Sequence, residues 1–227
     1  ENGVLADRTM NTLLHVLEAY TELYRVDRFE KVGESLKEIL SLFREKVYNP
    51  EKQICEVFFD HEYRSLIDLE SYGHDIEASW LIHEAAIELG DPQLIEEVEP
   101  VIQQIAHAAA EGLTDQGGMM YEKDVSNNQL DTDYHWWVQA EAVVGFLNIY
   151  QHFGNEDNLQ KALRCWNFIS KNLIDRINGE WFWSVHTDGR PNFNDDKAGF
   201  WKCPYHNGRM CMEIIERCHF ANKEKFD

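Results

Sequence analysis

Several widespread classes of protein are excluded by what this 227-residue chain does not contain. It has no run of about 18 apolar residues, so the sequence predicts no transmembrane helix and no membrane partner. Its first residues, ENGVLADRTM, have neither the basic nor the apolar region of a signal peptide. It also has no GxSxG motif of serine hydrolases, no P-loop and no GxGxxG dinucleotide-binding motif.

Basic residues are scarce, with 21 Lys and Arg against 41 Asp and Glu, which gives a formal net charge of -20. A strongly acidic surface repels the phosphate backbone, so we expect no nucleic-acid partner. Such a surface is compatible with an uncharged substrate.

Cysteine is also scarce, and its spacing matches no zinc motif; the five residues stand at positions 55, 165, 203, 211 and 218. The number is odd, which favours free thiols over a set of disulfides. We therefore expect a reducing, cytoplasmic location. Because no HExxH motif is present either, we expect no required metal ion.

Apolar residues recur at helical spacing along most of the chain, and this predicts an all-α fold. The predicted helices span approximately residues 9–25, 36–47, 76–89, 94–109, 134–153, 157–173 and 206–220. Short turns join them in pairs, and longer segments with short strands separate the pairs. The first helix of each pair is the more apolar one.

A polar or aromatic side chain recurs at a similar place in successive pairs. His15, His74, Trp137 and His206 are separated by 59, 63 and 69 residues. Helix pairs repeated at roughly 60 residues form an open solenoid or a closed toroid with two layers. In the closed form the inner helices end at one rim, and the repeat favours an active site there. The remaining histidines are expected on polar faces or in loops.

The segment GHDIEASW places His74, Glu77 and Trp80 on adjacent turns at the start of a helix. An aromatic ring with polar groups suits a sugar, and the helix N-terminus favours a neutral imidazole that can act as a general base. The structural alternative is an N-cap histidine beside a core tryptophan.

Further along the chain, Trp137 and Glu141 are four residues apart in an apolar helix. The carboxylate is therefore either paired in the core or directed into a wet pocket. His206 follows Pro204 at the entry to the last helix, and Arg209 lies one turn beyond it.

Four segments together resemble the cellobiose 2-epimerase family of the N-acylglucosamine 2-epimerase superfamily: NTLLHVLEAYT, GHDIEASWLIHEAA, WWVQAEAVVGFLNIYQ and FWKCPYHNGRMCMEIIER. They occur in the order and spacing of that family, over essentially the whole chain. The resemblance implies an (α/α)6 barrel and an isomerase. This enzyme would epimerise C2 of the reducing-end glucose of β-1,4-linked disaccharides, converting cellobiose to glucosyl-mannose and lactose to epilactose, without a metal or organic cofactor.

The resemblance also assigns roles to residues. His74 and His206 would be the general acid/base pair: one removes the C2 proton of the ring-opened sugar, a cis-enediol forms, and the other returns a proton after rotation about C2–C3. The residues that would line the sugar site are Asn11, His15, Glu77, Trp80, Trp137, Glu141 and Trp201. The implied partner is a disaccharide such as cellobiose, lactose or mannobiose, and the protein is expected to be a monomer or weak dimer.

A closed barrel of six such units needs on the order of 400 residues. We therefore expect residues 1–227 to form a partial (α/α)6-barrel epimerase domain that lacks its N-terminal helices. Alone it would be inactive or poorly folded, because an open barrel exposes the apolar faces of its inner helices.

Three other functions are compatible with the sequence. The first is a sister enzyme, either an N-acylglucosamine 2-epimerase or an aldose–ketose isomerase. The second is an (α/α)6 glycoside hydrolase with carboxylates such as Asp75 and Glu141 as its acid and base. The third is a non-catalytic helical protein that binds sugars or serves as a scaffold.

Overall fold

The chain folds into helices joined by short strands, as the sequence predicts. The computed structural model describes the backbone of residues 5–223 and the side chains of residues 5–218. The helices are α1 (Met10–Asp27), α2 (Glu30–Leu42), α3 (Tyr72–Leu89), α4 (Pro92–Ala109), α5 (Trp136–Phe153), α6 (Glu156–Phe168) and α7 (His206–Lys223). Each corresponds to a predicted helix, and the all-α fold class is confirmed. No helix in the described part of the chain is both long and apolar enough to cross a bilayer.

Short antiparallel strands connect the helices. They are β1 (Arg8–Thr9), β2 (Tyr48–Asn49), β3 (Ile54–Cys55), β4 (Phe58–Phe59), β5 (Leu69–Glu70), β6 (Glu122–Asp124), β7 (Gln129–Asp131), β8 (Tyr134–His135) and β9 (Ser184–Val185). Strand β1 pairs with β4, β2 with β3, and β8 with β9, while β5, β6 and β7 form a three-stranded sheet.

The described residues divide into two compact units. The first lies within residues 1–111 and 122–131, and the second lies within residues 112–121 and 132–227.

In the first unit, α3 packs against both α1 and α4. Most of α3 is buried, because it carries apolar residues on nearly every side. Gly90 ends α3 with φ of +67°, a conformation that costs glycine little. Asp91 then begins α4 by accepting the backbone N–H of Gln93 at 3.2 Å, with Pro92 at the first helical position. Because α3 ends and α4 begins within three residues, the chain reverses sharply and the two helices form an antiparallel pair.

In the second unit, α5 is the central helix and packs against α6 and α7. It follows β8 directly, so the β8–β9 pair places its first residue, Trp136. Gly117 approaches the backbone of Arg164 so closely that a Cβ would lie 2.4 Å from the carbonyl oxygen. Only glycine fits this contact, which holds the 112–121 segment on α6.

Helices α2 and α6 both continue into a five-residue π-helical turn, Phe43–Val47 and Ile169–Leu173. The sequence pattern predicts α-helix through both turns, since π geometry has no apolar period of its own. After each turn the chain returns as a narrow hairpin. Glu56 donates its N–H to the last carbonyl of the first turn at 2.9 Å, and Phe182 does so for the second at 2.8 Å.

The first helix of each pair is predicted to be more apolar than the second. This prediction is confirmed for α3 and α5, which are buried over most of their length. Helix α1 differs from them. Its side chains Leu23 and Val26 are exposed, the latter to 84 %. This apolar face is the kind of surface that an incomplete barrel is expected to present.

Candidate active site

His74 lies in the first turn of α3, in the first unit. The Oγ of the N-cap residue Ser71 is 2.8 Å from His74 Nδ1 and makes no hydrogen bond to a backbone N–H of the helix. The Ser71 carbonyl accepts the N–H of Asp75 at 2.9 Å. Ser71 therefore fixes the imidazole as well as the helix start, and Nε2 lies on the opposite side of the ring. His74 is within the helix, not at its N-cap as the structural alternative supposed.

Asp75, the next residue, is buried and directed toward β3. Its Oδ1 accepts the N–H of Cys55 at 2.8 Å. Burial raises the pKa of Asp75 well above its ordinary value, against the opposing effect of the hydrogen bonds from Cys55. Because this carboxyl joins β3 to the first turn of α3, the structure disfavours Asp75 as the acid of a glycoside hydrolase.

Two other predicted site residues, Glu77 and Trp80, are buried on α3. His83, one turn further, is also buried, with Nε2 4.0 Å from Glu99 Oε1. The expectation that His83 lies on a polar face or in a loop is wrong. Helix α3 is buried on nearly every side, so its polar residues lie in the core with its apolar ones. A polar residue type therefore did not indicate a solvent-exposed face on this helix.

Asn11 and His15 lie on α1, which packs against α3 in the same unit. His15 is the sixth residue of its helix and is half-exposed, with Nδ1 3.3 Å from Glu18 Oε2. It therefore lies inside the helix, as the predicted range 9–25 implies.

His206 is the first residue of α7, in the second unit, and it contacts the buried carboxylate of Glu141 on α5. Nδ1 is 2.8 Å from Glu141 Oε1. A carboxylate only accepts hydrogen bonds, so Nδ1 carries the proton in this arrangement and Nε2 is the nitrogen that can accept one. The helix start and the α5–α7 packing together determine which ring nitrogen is available for chemistry.

Arg209 shares the same oxygen. Its Nη2 donates to Glu141 Oε1 at 2.7 Å, and its Nη1 donates to the hydroxyl of Tyr205 at 2.7 Å. Burial by itself raises the pKa of Glu141, but the charge of Arg209 and the hydrogen bonds from Arg209 and His206 outweigh it, and the pKa lies below its ordinary value. Glu141 is thus a paired core carboxylate and, at the same time, the residue that orients His206.

Aromatic rings surround His206. Its ring centroid is 4.6 Å from that of Tyr205 and 5.6 Å from that of Trp137. Tyr121 stands edge-on to Trp137 at 5.6 Å. The sequence did not single out Tyr121, which lies in a loop without a motif. The sequence placed Arg209 one turn beyond His206 but did not predict its contact with Glu141.

Trp201 lies in the loop before α7 and is 69 % exposed. Phe200 beside it is 91 % exposed, and the two rings are perpendicular with centroids 4.8 Å apart. An exposed tryptophan face of this kind is suited to stacking on the C–H face of a sugar.

Glu141 and His206 are residue types that also bind metals. Here, however, Glu141 Oε1 already accepts from Arg209, whose positive charge opposes the binding of a cation at that oxygen. The arrangement favours an imidazole that transfers protons over one that binds a metal, and the lack of a required metal stays a prediction.

A family model described as N-acylglucosamine 2-epimerase (GlcNAc 2-epimerase) matches residues 3–208. The chain belongs to the N-acylglucosamine 2-epimerase family. Among the family's members, it is 54 % identical over 208 residues to a cellobiose 2-epimerase of Bacteroides fragilis. This match covers 92 % of the chain and 53 % of that relative. It is 46 % identical over 218 residues to a cellobiose 2-epimerase of Ruminococcus albus, covering 96 % of the chain and 56 % of the relative. The chain thus spans about half the length of the curated relatives it matches.

Solved structures are also similar to the chain. The cellobiose 2-epimerase from Bacillus thermoamylovorans B4167 is similar with a TM-score of 0.88 and 44 % identity, covering 96 % of the chain and 55 % of that structure. A D-mannose isomerase is similar with a TM-score of 0.81 at 19 % identity, which shows a shared fold. The predicted (α/α)6 fold class is confirmed, and the chain accounts for a part of it.

Proposed function

We propose that the protein containing this chain is a carbohydrate 2-epimerase that acts on the reducing-end glucose of β-1,4-linked disaccharides. The observation that carries the proposal is the buried Glu141–His206–Arg209 group beside Trp137. It presents an oriented imidazole among aromatic rings, in a chain 54 % identical to a cellobiose 2-epimerase. The proposed substrates are cellobiose, lactose and mannobiose.

The proposed reaction begins with the open-chain aldehyde of the sugar. One histidine takes the C2 proton, the C2–H electrons form the C1–C2 double bond of a cis-enediol, and the C1 oxygen receives a proton. After rotation about C2–C3, the other histidine donates a proton to the opposite face of C2, the C1 hydroxyl gives up its proton, and the aldehyde reforms. No electrons are gained or lost overall, so no oxidant or organic cofactor is needed.

His74 and His206 are the proposed pair. In each, a hydrogen-bonding group engages Nδ1, Ser71 for His74 and Glu141 for His206. That common arrangement supports Nε2 as the atom that exchanges protons in both. Two bases are required because a single base tends to return the proton to the face it came from.

The remaining predicted residues are proposed to hold the sugar. Trp80, Trp137 and Trp201 would stack on its rings. The amide of Asn11, the imidazole of His15 and the carboxylates of Glu77 and Glu141 would bind its hydroxyls. We further propose that residues 1–227 form part of a single epimerase domain of a cytoplasmic protein that is a monomer or weak dimer. The free state of all five cysteines supports that location.

The test uses the full-length protein that contains this chain, with cellobiose in heavy water. We expect glucosyl-mannose with deuterium at C2, observed by proton NMR, and loss of both product and label in His74→Asn and in His206→Asn. Thermal unfolding and circular dichroism of each variant serve as folding controls.

Other products would contradict the proposal. A ketose as the main product would indicate the aldose–ketose isomerase. Turnover of N-acetylglucosamine but not cellobiose would indicate the sister epimerase, and release of free glucose from cellobiose a hydrolase.

A further inference from the structure

Lys202 is a fully buried lysine in the second unit, although its neighbours Trp201 and Cys203 are exposed. Lysine is almost never buried unless its charge is paired and its donors are used. Its Nζ donates to Glu180 Oε1 at 2.9 Å, to the Trp181 carbonyl at 3.0 Å and to the Lys197 carbonyl at 2.7 Å. All three ammonium donors are therefore satisfied, one of them by a carboxylate.

These bonds close the loop that carries the exposed aromatic pair. The side chain of Lys202 reaches back to Lys197, while its own carbonyl accepts the N–H of Gly199 at 2.9 Å. Phe200 and Trp201 form the tip between these two contacts. Because both rings are mostly exposed, burial contributes little to fixing them, and the two contacts of Lys202 hold the tip in place.

Glu180, the partner of Lys202, also holds the start of α7. Its Oε1 accepts from Asn207 Nδ2 at 3.0 Å, and Asn207 directly follows His206. Glu180 itself has φ of +60°, a left-handed conformation that is unfavourable for a residue with a side chain. Glu180 keeps this conformation at the position from which its Oε1 accepts both from Lys202 in the loop and from Asn207 in α7.

We propose that Lys202 is a positioning residue: through Glu180 it sets Trp201 at a defined place relative to His206, so that the tryptophan ring can hold a sugar whose C2 is presented to the imidazole. This inference rests on the proposed function. Lys202 contacts no reacting atom in this scheme and acts through Trp201. It should therefore govern substrate affinity more than the rate of proton transfer.

The main test is Lys202→Met in the full-length protein, with cellobiose as substrate. Methionine keeps the unbranched apolar chain but removes the three donors. We expect KM to rise about tenfold, the loss that corresponds to one misplaced ring contact, while kcat stays within about threefold. Lys171→Met, at an exposed lysine of the same unit, is the matched control and should leave both constants unchanged.

A double variant separates positioning from a general structural effect. If Lys202 acts through Trp201, adding Lys202→Met to Trp201→Ala should raise KM no further. An equal additional rise in that background would overturn the proposal, and so would a fall in kcat without a change in KM.

A readout that needs no activity distinguishes failure of this proposal from failure of the proposed function. Chymotrypsin cleaves after exposed aromatic residues, and mass spectrometry identifies cuts after Phe200 and Trp201. Release of the loop in Lys202→Met should speed these cuts about tenfold relative to the unchanged protein. Unchanged cleavage would refute the role of Lys202 in holding the loop, whatever reaction the enzyme proves to catalyse.

Discussion

At the scale of single residues, the proposed chemistry of His206 depends on the charge of Glu141. The folded-state pKa of Glu141 lies below its ordinary value, because Arg209 and His206 outweigh the effect of burial. The carboxylate therefore stabilises the fold fully above its unfolded-state pKa. This contribution is lost as the pH falls through the folded-state pKa.

Arg209→Met should make the protein sensitive to acid at higher pH. Without the guanidinium, burial is opposed less, the pKa of Glu141 rises, and the carboxylate is protonated sooner as the pH falls. We expect the acidic limb of the kcat/KM profile with cellobiose to move up by about one pH unit.

Two variants control this experiment. Arg209→Lys retains the positive charge and should largely restore the profile. Arg217→Met removes an arginine of α7 whose Nε donates to Glu213, and should leave the acidic limb in place. An unmoved limb in Arg209→Met would refute the role given to the guanidinium.

Ser71→Ala should affect catalysis more than stability. It removes the hydroxyl that contacts His74 Nδ1, so the imidazole loses its fixed orientation. We expect kcat to fall about tenfold with KM nearly constant. The free energy of unfolding should fall by only about 1 kcal/mol.

Ser79→Ala provides the comparison for this variant. Ser79 is a buried serine of the same helix, and its hydroxyl donates to the Ile76 carbonyl at 2.7 Å. It should lose similar stability and keep its kcat. Equal losses of kcat in the two variants would contradict the orienting role of Ser71.

At the scale of secondary-structure elements, Asp75 joins β3 to the first turn of α3. Its pKa is raised in the folded state, so its stabilising contribution is complete below the unfolded-state pKa and declines as the pH rises toward the folded-state value. Asp75→Asn keeps an acceptor for the Cys55 N–H and has no charge to bury. Relative to the unchanged protein, its Tm should therefore increase as the pH rises from about 4 to 8.

Asp91→Asn is a control at a carboxylate whose pKa is shifted in the opposite direction from that of Asp75. Asp91 caps α4 and contacts Lys37, and its pKa is lowered, chiefly by that contact. Its contribution is present at neutral pH and is lost in acid. The variant should thus lose Tm most at neutral pH, and a parallel response of the two variants would contradict the assignment for Asp75.

The elements were predictable because their signals are local. Apolar periodicity and turn residues such as Gly90 and Asp91 define helix ends within a few residues. The first turn of α3 was not foreseen, since Ser71 uses its side chain on His74 instead of the usual backbone cap. A serine that bonds to a histidine ring instead of a backbone N–H produces no periodic pattern in the sequence, so it could not be predicted.

At the scale of the whole molecule, residues 1–227 expressed alone should show no epimerase activity with cellobiose. Helix α1 exposes Leu23 and Val26, and α7 exposes Met212 and Ile215, which favours aggregation or a loosely packed state. Activity assays measure turnover, near-ultraviolet circular dichroism measures side-chain packing, and sedimentation measures aggregation. Robust turnover by this segment alone would refute the prediction.

The candidate site was predictable only in part. Resemblance supplied His74 and His206, and their partners Ser71 and Glu141 are now visible. The contact of Glu141 with Arg209 joins residues 68 positions apart, and the contact of Lys202 with Glu180 joins residues 22 apart. Such pairs depend on how helices and loops pack, and residue spacing carries no information about that.

The π-helical turns at the ends of α2 and α6 have a consequence for what insertions and deletions the chain tolerates. Each turn holds one more residue than an α-turn would, and each sets the rotational phase of the hairpin that follows. One hairpin delivers Cys55 to Asp75, and the other delivers Glu180 to Lys202. Deleting a single residue from either turn would rotate its hairpin by about 100° about the helix axis and misdirect that contact. Substitutions on the surface of these turns should therefore be accepted far more readily than any change in their length.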